Sequence, residues 1–145
     1  VSGPIEDLSV WRNRLRHWLI DRGREVLPSW TEELALAVGV RVGRVSVRCQ
    51  KTRWGSYSAR NGREGTINLN AQLLFLPRLC ARYVVIHELC HAVHPNHSSA
   101  FWALVRSHEP DADHHRAMLR SAWMHVPPWL AEPGRPTQVA PACSM

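Results

Sequence analysis

The residues with the clearest chemistry are His87, Glu88 and His91, followed six positions later by His97. The order is His-Glu-x-x-His. On an α-helix, side chains four apart lie one above the other, so His87 and His91 project from one face and can hold one Zn²⁺ between them. Glu88 lies one step around the helix, where it reaches a water on the metal rather than the metal itself. That arrangement is the metallopeptidase signature. A catalytic zinc site takes three protein ligands and keeps its fourth position for water or substrate; His87, His91 and His97 meet that count.

The flanking sequence must supply the helix and the turn. Leu79 to Ile86 is apolar, free of proline, and repeats at spacings of three and four, which predicts a helix from about Leu79 to His94. Pro95-Asn96 is a stop signal that lets the chain reverse and bring His97 back. Ser98 or Ser99 can cap a following helix whose Phe101 and Trp102 pack on the zinc helix and fix the His97 loop. After Pro110, a last helix runs from Asp111 to about Met124. At the N-terminal end, Leu8, Trp11, Leu15, Trp18, Leu19 and Val26 predict an amphipathic helix over Leu8–Leu27, with its apolar side packed on the domain and its arginines outward. Pro28-Ser29 ends it, and a second helix spans Trp30 to Val38 and stops at Gly39. Between these blocks the period changes. Val42, Val45 and Val47 alternate with polar residues, Thr52–Ser58 is a second strand, and Asn61-Gly62 is a hairpin signal before a third strand, Gly65–Asn70. Ala71–Leu76 reads as a short helical turn. The expected fold is α+β: a small, mostly antiparallel three-stranded sheet with about five helices, one folded unit over residues 1–126, and a proline-rich, flexible tail over 127–145.

Competing assignments exist for the ligands. The chain has nine histidines, so a pair at spacing four can arise without a metal. Glu109 is the rival third ligand, as a carboxylate from a later helix; His97 is preferred because it is near, follows a turn and completes a neutral set. His108, His114 and His115 lie among Glu109, Asp111 and Asp113, which suggests a second metal site or, more simply, a wet helix start. The cysteines form no Cys-x-x-Cys pair and read as reduced thiols, with Cys90 a small buried apolar residue.

The length of 145 residues suits one domain. No apolar run is long enough to span a membrane, and the opening residues lack the basic and apolar regions of a secretory leader; the expected location is the cytoplasm. The chain also lacks an initiator methionine. The net charge is +6 and the pI about 9.9, which fits an anionic partner such as DNA or simply a basic soluble protein. The strand region concentrates this charge in Arg44, Arg48, Lys51, Arg53, Arg60 and Arg63, with Trp54 and Tyr57 interleaved. Cations with aromatics bind nucleic acid by charge and stacking; the simpler reading is a solvated strand face over two core aromatics.

Four linked motifs resemble the YgjP-like metallopeptidase family: Gln50-Lys51-Thr52-Arg53-Trp54-Gly55-Ser56, Ile67-Asn68-Leu69-Asn70, Val85-Ile86-His87-Glu88-Leu89-Cys90-His91, and Pro95-Asn96-His97-Ser98 with Phe101-Trp102. The resemblance covers roughly Leu8 to Met124. It implies a zincin-like minimal protease domain, one Zn²⁺ on His87, His91 and His97, and Glu88 as general base. It also implies kinship with the SprT/Spartan and WLM/Wss1 proteases, which act on proteins crosslinked to DNA. One position departs: the family usually has cysteine after Trp-Gly-Ser, and this chain has Tyr57.

These readings imply hydrolysis of peptide bonds by Glu-assisted attack of a zinc-bound water, on a protein or peptide substrate, with DNA as a partner that stimulates cleavage of DNA-bound proteins. The alternative is a zinc-bearing binding module for nucleic acid or protein without proteolysis. Oxyanion stabilisation has three candidates, Tyr57, Arg53 and His94. By analogy with other zincins, a substrate strand would add to an exposed sheet edge such as Thr66–Asn70.

Overall fold

The computed structural model describes residues 4–130. Helix α1 (Pro4–Val38) crosses one face of a three-stranded sheet made of β1 (Val42–Arg48), β2 (Gly55–Ser58) and β3 (Gly65–Asn70). A 3-10 turn over Ala71–Phe75 leads to α2 (Arg78–Cys90), followed by α3 (Ser99–His108) and α4 (Ala112–Leu119). Two further 3-10 turns, Ala122–His125 and Pro128–Leu130, close the described chain. The architecture is α+β as expected. No helix among the described residues is long and apolar enough to cross a membrane.

The N-terminal segment departs from expectation. One helix replaces two, with Pro28 in its interior. An interior proline removes one N–H and costs about 3 kcal/mol. Here Leu27, Thr31, Leu34 and Ala35 on either side of it are all buried, so packing carries the helix through. The Thr31 hydroxyl donates back to the Leu27 carbonyl at 2.7 Å. The helix ends at Gly39, whose φ of 82° suits glycine. Its packed side is also rotated from the expected one. Leu8, Trp11 and Trp18 are more than half exposed, whereas Leu19, which the expected face included, and Leu27 are buried. A methyl on Gly23 would fall 2.8 Å from Val47 Cγ1, so α1 rests directly on β1 at that point.

The sheet is mixed, not mostly antiparallel. Its order is β1-β3-β2, with β3 parallel to β1 and antiparallel to β2. The Asn61-Gly62 turn forms as the sequence indicates, with positive φ at both residues, but it fixes only the β2–β3 pairing. The Gln50–Trp54 loop carries the chain across the end of β3, which makes β1 parallel to it. The odd spacing of Val42 and Val45 is resolved by a register shift between Val42 and Arg44. Gly43 is the extra residue, and the slip restores the inward phase of Val45 and Val47.

Asn70 holds the crossing loop. It is fully buried. Its Nδ2 donates to the carbonyls of Gln50 and Arg53, both at 2.9 Å, and its Oδ1 accepts from the Gln72 N–H at 3.0 Å. All three bonds go to backbone groups of other residues. Trp54 follows in the same loop, fully buried and stacked on Trp123 at 4.0 Å between ring centroids. Packing continues past residue 126: Leu130 is buried, and Arg16 donates to its carbonyl at 3.3 Å. The rest of the expected tail, 131–145, lies outside the described residues.

Asn70→Ala removes the partner of two part-buried carbonyls and one buried N–H. It should cost about 2–4 kcal/mol of stability, read as a shift in the urea midpoint at unchanged slope. A change below 0.5 kcal/mol, in order of magnitude the noise of a surface substitution, would contradict this role.

Candidate metal centre

Helix α2 is buried along nearly its whole length, from Cys80 to Cys90, with Arg82 the main exception. Its last turn carries His87 and Glu88, only 1% and 2% exposed. The regular helix ends at Cys90, earlier than expected, and His91 caps it. The chain keeps turning, the His94 N–H returns to the Cys90 carbonyl at 3.0 Å, and the His87 and His91 rings stay adjacent with their centroids 5.0 Å apart. Pro95 and Asn96 then reverse the chain. The Ser98 hydroxyl caps α3 by accepting from the Phe101 N–H at 3.2 Å, and His97 swings back over α2.

The three histidines converge. His97 Nε2 lies 3.2 Å from His87 Nε2 and 3.1 Å from His91 Nε2. Among the described residues this is the one His/Cys/Asp/Glu group close enough to share an ion. The set fits zinc: bonds of about 2.0–2.1 Å at tetrahedral angles put ligand nitrogens about 3.3 Å apart. The His91 tautomer agrees. His91 Nδ1 lies 3.1 Å from the His94 carbonyl, which can only accept, so Nδ1 carries the proton and Nε2 keeps its lone pair for a metal. His87 Nδ1 faces the buried Tyr83 hydroxyl at 3.5 Å. Burial first, then the neighbouring His91 and His97 rings and Arg116, push the His87 pKa down from 6.5 to about 2. Burial likewise lowers His91 and His97. All three are thus held neutral, the form that binds metal.

Aromatic packing fixes the rings. Phe101 is fully buried and touches all three imidazoles at centroid distances of 4.6–4.9 Å. Trp102 stacks on His97 at 27° and meets His87 edge-on. Arg116 lies over the outer side of the same indole at 4.7 Å.

The metal site opens into a cleft of about 610 Å³ lined by α2, β2 and the His97 turn. Gly55 forms its floor beside Glu88: a Cβ there would sit 3.0 Å from Glu88 Cγ and 3.4 Å from Oε1. Sequence reasoning missed Gly55 and also Tyr83, although Tyr83 stands four residues before His87 and the helical spacing rule reaches it.

The other expected site residues are dispersed. Arg53 and Tyr57 line the cleft, but the Tyr57 hydroxyl packs where a Gly65 side chain would be. Gly55 pairs with Leu69, four residues and about 13 Å along β3 from Gly65, so this hydroxyl is turned away from Glu88. His94 is absent from the cleft wall, and its carbonyl holds His91. Arg44 and Arg48 are exposed on edge strand β1, Arg60 and Arg63 on the hairpin, and Lys51 and Arg53 on the crossing loop. Trp54 cannot stack on a base, since its ring is buried against Trp123. Strand β3 is paired on both sides and cannot take a further strand; beside the cleft the edge is β2. Glu109 is not part of the converging group: it is buried in an ion pair with Arg82, with His115 Nδ1 at 3.6 Å. Asp113 pairs with Arg106, and no second metal cluster forms there among the described residues. Cys90 is buried, and burial pushes its thiol up to about 12, which leaves it an apolar filler.

His97→Ala should lower zinc affinity by more than the about 10- to 100-fold typical of losing an outer partner of a ligand, whereas Glu109→Gln should keep full zinc occupancy while lowering Tm. Metal content by mass spectrometry after dialysis separates the two, and zinc loss in Glu109→Gln alone would reverse the ligand assignment.

No curated protein matches the chain. Among solved structures, the metallopeptidase zymogen abylysin of Pyrococcus abyssi is similar, with 27% identity and a TM-score of 0.53 over 63% of this chain and 92% of that one. The family description "YgjP-like, metallopeptidase domain" matches residues 2–122. With that match spanning the sheet, α2 and the converging histidines, the chain belongs to the YgjP-like metallopeptidase family.

Proposed function

We propose that this protein is a zinc-dependent endopeptidase in which Glu88 is the general base. The observation that carries the reading is the convergence of three neutral imidazole nitrogens beside a buried glutamate at the head of an open cleft. His87, His91 and His97 would hold one Zn²⁺. A bound zinc supplies Lewis acidity: it lowers the pKa of a water toward about 7 and polarises a carbonyl. Glu88 accepts the proton of the attacking water and passes it to the leaving amine. Gly55 leaves Glu88 room for that movement, because any side chain there would press on its Cγ. A peptide lying along the edge of β2 would pass Gly55, Ser56, Tyr57 and Ser58, all of which line the cleft, and so bring its scissile bond beside Glu88 and the three histidines.

Glu88→Gln tests this directly. It should retain zinc and lower kcat/KM on an unstructured protein substrate by about 10²–10⁴. Equal cleavage by the variant and the natural chain would remove Glu88 from the mechanism. A zinc-loaded natural chain that cleaves nothing would favour the binding-module alternative.

A second reading, cleavage of DNA-bound proteins, draws on the six exposed basic residues Arg44, Arg48, Lys51, Arg53, Arg60 and Arg63 and on the net charge of +6. A mobility shift with single-stranded and duplex DNA should appear at low salt and weaken steeply as salt rises. Absence of any shift at low salt would contradict DNA as a partner.

A further inference from the structure

Resting on the peptidase reading, we infer that Arg53 is a specificity-determining residue that selects substrates with a carboxylate near the scissile bond, from an acidic side chain or from the C-terminus.

Three observations converge on it. First, Arg53 is the one Lys or Arg among the residues lining the cleft; the remaining wall is Gly55, Ser56, Tyr57, Ser58, Ala59, Ala92 and Pro95 beside the metal ligands and Glu88. Second, among the described residues no acidic side chain pairs with the Arg53 guanidinium, whereas Arg22, Arg24, Arg82 and Arg106 each have one. Third, its backbone is fixed. The Arg53 carbonyl is tied to Asn70 at 2.9 Å, and the next residue, Trp54, is buried against Trp123. A planar guanidinium on an anchored backbone offers two parallel N–H groups to a carboxylate, which adds geometric selection to charge.

Exposure decides between the two roles a cleft arginine can take. An oxyanion donor works best in a dry, preorganised site. Arg53 is exposed at the rim, one residue before the buried Trp54, and so meets the part of the substrate that flanks the bond rather than the bond itself. The metal centre adds positive charge to the same cleft, against a single carboxylate from Glu88. A substrate with lysine at the flanking position is disfavoured for the same reason.

The test uses zinc-loaded full-length protein and internally quenched peptides with a common cleavable core. One set varies a flanking residue among Glu, Gln and Lys with the C-terminus amidated. The other keeps Gln and compares a free with an amidated C-terminus close to the cleaved bond. The readout is the ratio of kcat/KM between charged and neutral peptides within each protein variant, which cancels any change in overall activity. For the natural chain, one set should show a carboxylate preference of about 3- to 10-fold, the range between an exposed ion pair and a bidentate one. The set that shows it names the source. Arg53→Gln should bring that ratio to near one, Arg53→Glu should turn it toward lysine, and Arg53→Lys should restore part of it. Ratios near one in the natural chain, or a preference that survives Arg53→Glu, would overturn the inference and leave the peptidase reading standing. Cleavage of no peptide in either set would remove both.

Discussion

The Nε2 of His97, held 3.2 Å from that of His87 and 3.1 Å from that of His91, completes a cluster of three imidazole nitrogens that one cation can bridge. Most of the structure serves to keep it. His87 arrives on a buried helix that cannot rotate without unpacking Val84, Val85, Ile86 and Leu89, all at most 1% exposed. His91 sits where that helix ends, and the turn that ends it supplies the His94 carbonyl that fixes its tautomer. His97 comes from outside the helix and is set by its neighbours: Ser98 caps α3, and Phe101 and Trp102 stand behind the ring. The histidine cluster is preorganised by hydrophobic burial more than by hydrogen bonds. Burial also holds the rings neutral, so the same physics that builds the core keeps their nitrogens available to a metal.

The sheet has a different task. It brings the polar, small-residue strand β2 alongside α2 and leaves that strand at an edge. The mixed topology is what allows this. If β1 and β2 formed a hairpin, β2 would lie between its neighbours and no edge would face the cleft. Instead the 50–54 loop crosses the end of β3, anchored by the side chain of Asn70 and the Trp54–Trp123 stack. The cleft thus has one wall from α2 and its end, which carries His87, Glu88 and His91, and one wall of strand, which carries Gly55, Ser56 and Tyr57, with Arg53 on the loop before it and His97 on the turn after α2.

What was legible in the sequence was local. The spacing of His87, Glu88 and His91, the Pro95-Asn96 turn, the Ser98 cap and the Asn61-Gly62 hairpin each follow from a few adjacent residues, and each appears in the structure. Non-local features were not legible. Pro28 signals a break, but burial of Leu27, Thr31, Leu34 and Ala35 on one face keeps α1 continuous. The parallel pairing of β1 depends on where a loop crosses, which no short motif encodes. Trp54 stands among basic residues in the sequence, yet its ring belongs to the core because Trp123 reaches it from far along the chain. Leu8, Trp11 and Trp18 have the right period for a packed face, but the sheet lies against the next strip around the helix, where Gly23 permits closest approach. Periodicity gives the existence of an apolar face, not its partner.

X-ray absorption at the zinc edge on the loaded protein tests the three-nitrogen centre most directly. The account predicts three imidazole nitrogens and one oxygen at about 2.0–2.1 Å, with one imidazole lost in His97→Ala. A sulfur scatterer near 2.3 Å would implicate a cysteine, and an unchanged spectrum in His97→Ala would remove His97 from the ligand set; either result would contradict the centre described here.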